Sequence, residues 1–139
     1  MVEVLDIPVI GNGDIATAAD VVAMRAHTRC AGAMIARGSF GNPCIFAQAR
    51  DLLAGRPKRP DPAPEERFAT ALEHARLALR IQGDTRKTAL EFRKHFGWYT
   101  RGVPGASALR ERLFQIESMA EAEQIFARYL ERQEVGVAA

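Results

Sequence analysis

Cysteine is scarce in this 139-residue chain: Cys30 and Cys44 are the only two, and they lack the C-x-x-C spacing of a zinc site. That pattern excludes a disulfide framework too, so both read as buried thiols in a reducing compartment and no metal site is expected. No run of eighteen apolar residues occurs, and the N-terminus lacks a basic region followed by an apolar core. Neither a membrane span nor a secretion signal is therefore read, and the expected location is the cytoplasm. Nor is there a large excess of one charge, since the formal net charge is +2. With 47% hydrophobic and 26% charged residues, the composition excludes a disordered chain and fits one domain, or one small domain with a fragment of another.

What is present begins with the stretch from Ile7 to Phe46, which packs two strand–loop–helix units into forty residues. Val4 to Ile10 is short, aliphatic and β-branched, and predicts a strand buried on both faces of a parallel sheet. Asp14 or Thr17 can cap a helix over 18–28 with Ala19, Val22, Ala23 and Ala26 as its apolar stripe. Ala31 to Ala36 predicts the second strand, and Pro43 opens a helix to about Leu53 that Gly55 closes. Residues 56–64, RPKRPDPAP, predict an extended spacer with few backbone donors. Beyond it, helices are expected over 65–82 (Phe68, Leu72, Ala75 and Leu79 on one face) and 86–100 (Leu90, Phe92, Phe96 and Trp98). A short one capped by Ser107 runs through Phe114, and a last one runs from the Ser118/Glu121 capping box to about Gln133. Residues 135–139 are expected to be loose.

Chemistry is suggested first by the two loops, Gly11-Asn12-Gly13-Asp14 and Ala36-Arg37-Gly38, whose backbone can bring amides close to an anion. Three readings compete. Gly11-x-Gly13-x-x-Ala16 fits a dinucleotide fingerprint with Arg37 placed for a ribose 2′-phosphate, but no third strand follows Ala36. The glycines can also serve tight turns and nothing more. Used together, the two loops match the phosphate site that a (β/α)₈ barrel builds after its last strands. A second signal is charge: residues 84–112 carry a net +4 and the segment after them a net −3, which suggests a face for an anionic polymer or a solvated helix surface.

The wording IPVIGNGDI at 7–15, a helix, then AMIARGSFGNPCIF at 33–46 resembles the last two βα units of the tRNA-dihydrouridine synthases, and RKHFGWYTRGVPGASALRERL at 93–113 resembles their helical C-terminal domain. The resemblance implies an α/β remnant of a TIM barrel over 1–55, the linker over 56–64, and an all-α tRNA-binding bundle over 65–139. It implies FMN held by Asn12, Gly13, Asp14, Ala36, Arg37 and Gly38, with NADPH as reductant and the uracil C5–C6 bond of tRNA as substrate. RNA contacts are assigned to Arg86, Lys87, Arg93, Lys94, His95, Tyr99, Arg101 and Arg110, with Trp98 beside them; His27 and His74 are read as structural. The family often has glycine in place of Ala36 and usually tryptophan in place of Cys44. Its catalytic cysteine belongs to earlier βα units, and neither cysteine of this chain matches it, so no catalytic residue is assigned and the isolated chain is expected to be inactive. Two strands cannot close a barrel, and their open edges invite pairing with another copy. The alternatives are a non-catalytic RNA-binding helical module and the C-terminal part of another FMN-dependent barrel oxidoreductase.

Overall fold

A computed structural model describes residues 2–137, with side chains as far as Gln133. The chain divides into two compact units, one ending at Asp61 and the other beginning at Pro62. The first contains β1 (Ile10–Asn12), α1 (Ala18–Thr28), β2 (Gly32–Met34) and α2 (Cys44–Leu53). The strands pair in parallel with Ile10 opposite Gly32, Gly11 opposite Ala33 and Asn12 opposite Met34.

Both strands are shorter than the apolar runs predict. Among the described residues the run from Val4 finds no strand partner upstream of Val9, whose carbonyl accepts from the Ala31 amide at 2.8 Å. Pro8 has no N–H to give a ladder, and Val4, Leu5 and Ile7 are exposed instead of buried. Residues 2–4 form a 3-10 turn. Helix α1 has the expected bounds, but its buried face is one residue out of register with the expected stripe: Ala18 and Val21 are buried while Ala19, Ala23 and Ala26 face solvent. Ile15, Ala18, Val21 and Ala49 form the core of this unit, with Met24, Ala33, Ile35 and Leu52 around it. A stripe of three alanines and one valine offers little area to bury, so Val21 and the larger Met24 decide which side turns inward.

The proline-rich segment after α2 is docked on that helix. Asp51, only 8% exposed, accepts from Arg56 Nη2 at 2.8 Å and from Arg59 Nε at 2.7 Å. The hydrogen bonds from Arg59 and then Arg56 hold its carboxyl well below the usual carboxylate range. Gln48, also buried, donates to Asp61 Oδ1 at 2.7 Å. Proline rings remove backbone donors, and side-chain hydrogen bonds fasten the segment in their place.

The second unit packs α3 (Pro64–Gln82), α4 (Arg86–Tyr99), α5 (Ala106–Leu113) and α6 (Met119–Val137) around Phe68, Phe92, Phe96, Leu113, Ile116 and Phe126. Phe68 stacks on Phe126 at 4.4 Å between ring centroids, and Phe96 meets the same ring edge-on at 5.5 Å. On α3 the fully buried face is Phe68, Ala71 and Ala75, with the expected Leu72 and Leu79 at its margin. Gly105, in the left-handed conformation, starts α5 where Ser107 was expected to cap it. Helix α6 continues to Val137, past the expected end at Gln133; residues 138–139, also expected to be loose, lie outside the described residues.

Phe96 is fully buried where α4 meets α6. Phe96→Ala is expected to destabilise the helical unit by about 3–5 kcal/mol, read from urea unfolding followed by circular dichroism.

Candidate functional site

Because β1 and β2 run parallel with Asn12 beside Met34, the loops that follow them leave the same end of the sheet. The first turns through Gly13 (φ 143°) and Asp14 (φ 44°), the second through Ala36 into a 3-10 turn over Arg37–Ser39. Between them lies a cleft of about 280 Å³ lined by Asn12, Gly13, Asp14, Ile15, Met34, Ala36 and Arg37. Five of the six residues assigned to the loops by sequence therefore face one space. Ile15 and Met34 were not singled out, because an apolar residue beside a glycine loop carries no signal of its own.

Gly38 is the sixth, and it does not line the cleft. A Cβ at this position would lie 2.2 Å from the Ile15 carbonyl oxygen, so only glycine lets the second loop pass this close to the first. Its place is to set the width of the gap.

The electrostatics of the cleft are carried by Arg37. Its guanidinium stands 3.7 Å from the Asp14 carboxylate, and the two side chains are 86% and 98% exposed, so water screens the pair and the arginine is free to turn toward an anion. The start of α1 is already taken. Asp20 Oδ2 accepts from the amides of Ala16 at 3.0 Å and Thr17 at 2.7 Å, and Thr17 Oγ1 accepts from the Asp20 amide in return. These hydrogen bonds lower the Asp20 pKa and put a carboxylate where a dinucleotide fingerprint would need its pyrophosphate. The dinucleotide reading loses its binding site.

The residues assigned to RNA contact, all in the second unit, divide by environment. Arg86 pairs with Glu117 at 2.7 Å and Lys87 lies 3.9 Å from Glu91. Arg93 sends its guanidinium to the Ile116 carbonyl, with Nε at 2.9 Å, and so fastens α4 to the turn after α5. Tyr99 is 5% exposed in the core, its hydroxyl 3.4 Å from His74 Nδ1. His95 is half-buried, with its ring 4.8 Å from Phe92, 5.1 Å from His74 and 4.9 Å from Trp98. Lys94 and Arg101 are exposed and Arg110 is half-buried. Of the expected aromatic surface Tyr99 is core while His95 and Trp98 are half-buried, and part of the cationic set is exposed.

Comparison with known proteins adds a separate line. Residues 2–134 match the sequence model of a family described as dihydrouridine synthase. A protein of Mycobacterium leprae named probable tRNA-dihydrouridine synthase is 36% identical over 126 residues, 91% of this chain and 33% of its own length. One of Synechocystis named probable tRNA-dihydrouridine synthase 1 is 36% identical over 123 residues, 88% of this chain and 34% of the relative. The tRNA-dihydrouridine synthase B of Pasteurella multocida is 31% identical over 109 residues, 78% of this chain and 32% of the relative. The chain spans about a third of the length of these curated relatives.

Two outcomes are expected. Gly38→Ala, whose Cβ would collide with the Ile15 carbonyl, is expected to destabilise the first unit by about 1–3 kcal/mol, read from urea unfolding. Burial lowers the pKa of both His74 and His95 in the folded chain, the latter also through its neighbours His74 and Lys94. Their neutral forms therefore favour folding above the ordinary imidazole value of 6.5, and this stability is lost as pH falls below it. A thermal midpoint that drops between pH 7 and 5, and drops less in His95→Gln, checks the sign.

Proposed function

The chain belongs to the dihydrouridine synthase family, and on that premise we propose that it supplies the phosphate grip for FMN and a helical surface for tRNA in the reduction of uridine to dihydrouridine. In this reading residues 1–55 are the closing βα units of a TIM barrel, 56–64 the linker and 65–139 the tRNA-binding unit. The observation that carries the cofactor assignment is the cleft itself: two loops from one sheet end, held close by Gly38, with a movable guanidinium at the rim.

The residues present fit a phosphate monoester. Arg37 supplies paired charge-assisted hydrogen bonds to two phosphate oxygens, a geometry that lysine does not reproduce. Gly13, where a Cβ would meet no atom within 4 Å, leaves the approach to the loop backbone open. The Asp14 carboxylate repels a dianion and suits a hydroxyl, so it belongs on the ribityl side and Arg37 on the phosphate side. Asn12 offers both a donor and an acceptor to the same polyol. When bound, FMN supplies hydride, drawn from NADPH, to the uracil C5–C6 bond.

The proton for the other carbon of that bond has no donor in this cleft. Cys30 is buried, its Sγ 3.0 Å from where a Gly11 Cβ would stand, and Cys44 opens α2 outside the cleft lining. The 139-residue chain is accordingly assigned no turnover of its own. For the tRNA surface, the exposed Lys94 and Arg101 with the half-buried Arg110 are the assigned phosphate contacts; Arg93 acts on the fold. The open strand edges remain assigned to pairing with another copy.

Arg37→Ala is expected to weaken FMN binding roughly ten- to a hundredfold, with Arg37→Lys between it and the parent. Equal affinities for all three in a flavin fluorescence titration would overturn the phosphate assignment. Measurable dihydrouridine formation by the purified chain with FMN, NADPH and tRNA would overturn the assignment of inactivity.

A further inference from the structure

The basic, proline-rich run after α2 reads in sequence as an extended spacer, yet both of its arginines are committed to one residue of that helix. Arg56 reaches Asp51 Oδ1 through both Nε at 3.3 Å and Nη2 at 2.8 Å, and its amide donates to the Asp51 carbonyl at 2.9 Å. Arg59 Nε takes the other carboxylate oxygen at 2.7 Å. Farther along, Asp61 Oδ1 receives Gln48 Nε2 at 2.7 Å and Lys58 Nζ at 3.0 Å. Of these groups Asp51 and Gln48 are buried on α2, whereas the arginines and Lys58 have about half their side chains in water.

We propose that residues 56–61 form a strap pinned to α2 by Asp51, and that neutralising this one carboxylate releases the strap while the βα units stay folded. The asymmetry of the contacts is the reason. Both arginine links converge on a single buried acceptor, so the charged attachment has one point; Gln48 Nε2 makes a second, at 2.7 Å to Asp61 Oδ1 and a longer 3.4 Å to the Arg59 and Pro60 carbonyls. Two prolines, Pro57 and Pro60, separate the anchors and keep the released segment extended. Docked, the strap is part of the first unit; released, it adds six residues, roughly 20 Å at full extension, to the slack ahead of α3. Asp51 is thus a positioning residue acting through Arg56 and Arg59. The inference does not depend on what the cleft binds.

Trypsin reads the strap directly, because Arg56 and Arg59 are each followed by proline and resist cleavage, leaving Lys58–Arg59 as the one susceptible bond within 56–61. On the whole chain, Asp51→Asn is expected to raise the rate of cutting at Lys58–Arg59 at least about tenfold, with the bonds after Arg25 and Arg29 cut no faster than in the parent and the far-ultraviolet circular dichroism unchanged. The Arg56→Gln/Arg59→Gln double variant removes only half-exposed side chains, keeps the Lys58 bond susceptible, and is expected to give the same acceleration; it decides the matter if Asp51→Asn does not fold. A parent already cut as fast as the variants, or variants cut equally faster after Arg25 and Arg29, overturns the proposal.

Discussion

The parallel pairing of two three-residue strands is the constraint on which the candidate site rests. Parallel strands must be joined by a crossover, here α1, so the loops after both strands emerge at one end of the sheet. Antiparallel pairing would have sent them to opposite ends. The register then matters as much as the direction, because setting Asn12 beside Met34 starts the two loops from the same level, and the glycine at 38 lets the backbones close to contact distance. The cleft has two walls because the ladder has one register.

Helix positions were legible in the chain because caps and breakers are local. Thr17 with Asp20, Ser118 with Glu121, and the glycines at 55, 83 and 102 act within a turn of where they stand. The strands were legible in kind and order but not in extent, since strand length depends on a partner and the partner is distant in sequence; the apolar run from Val4 meets none. The buried face of α1 was misjudged by one position because alanine marks a helix without marking which side of it is heavy. The loop residues of the cleft stood out through glycine and arginine in a strand-to-helix context, whereas Ile15 and Met34 did not, as nothing separates an apolar wall residue from a core one before the loops are folded. Asp51 was missed for a related reason. Its partners lie five and eight residues on, across a helix end and two prolines, where no periodicity connects them.

In the helical unit the same side chains are asked to do two things, and the packing decides between them. Arg93 and Tyr99, which by composition belong with an RNA-binding surface, are spent on fastening α4, the first to the Ile116 carbonyl and the second in the core beside His74. A guanidinium held against a buried carbonyl in a part-buried site gives up much of its reach. The exposed positive character of the segment is correspondingly concentrated at fewer positions than its sequence contains, with Lys94 and Arg101 exposed and Arg110 half-buried.

The docked strap has an electrostatic corollary. Its three cations sit within hydrogen-bonding distance of two carboxylates, Asp51 and Asp61, so the run that looks most like a polyanion lure presents a set of short dipoles. Three cations against two carboxylates leave a net charge of only +1, and beyond a Debye length of about 8 Å in physiological salt that remainder is largely screened. The segment richest in basic letters therefore projects far less positive potential than its sequence suggests.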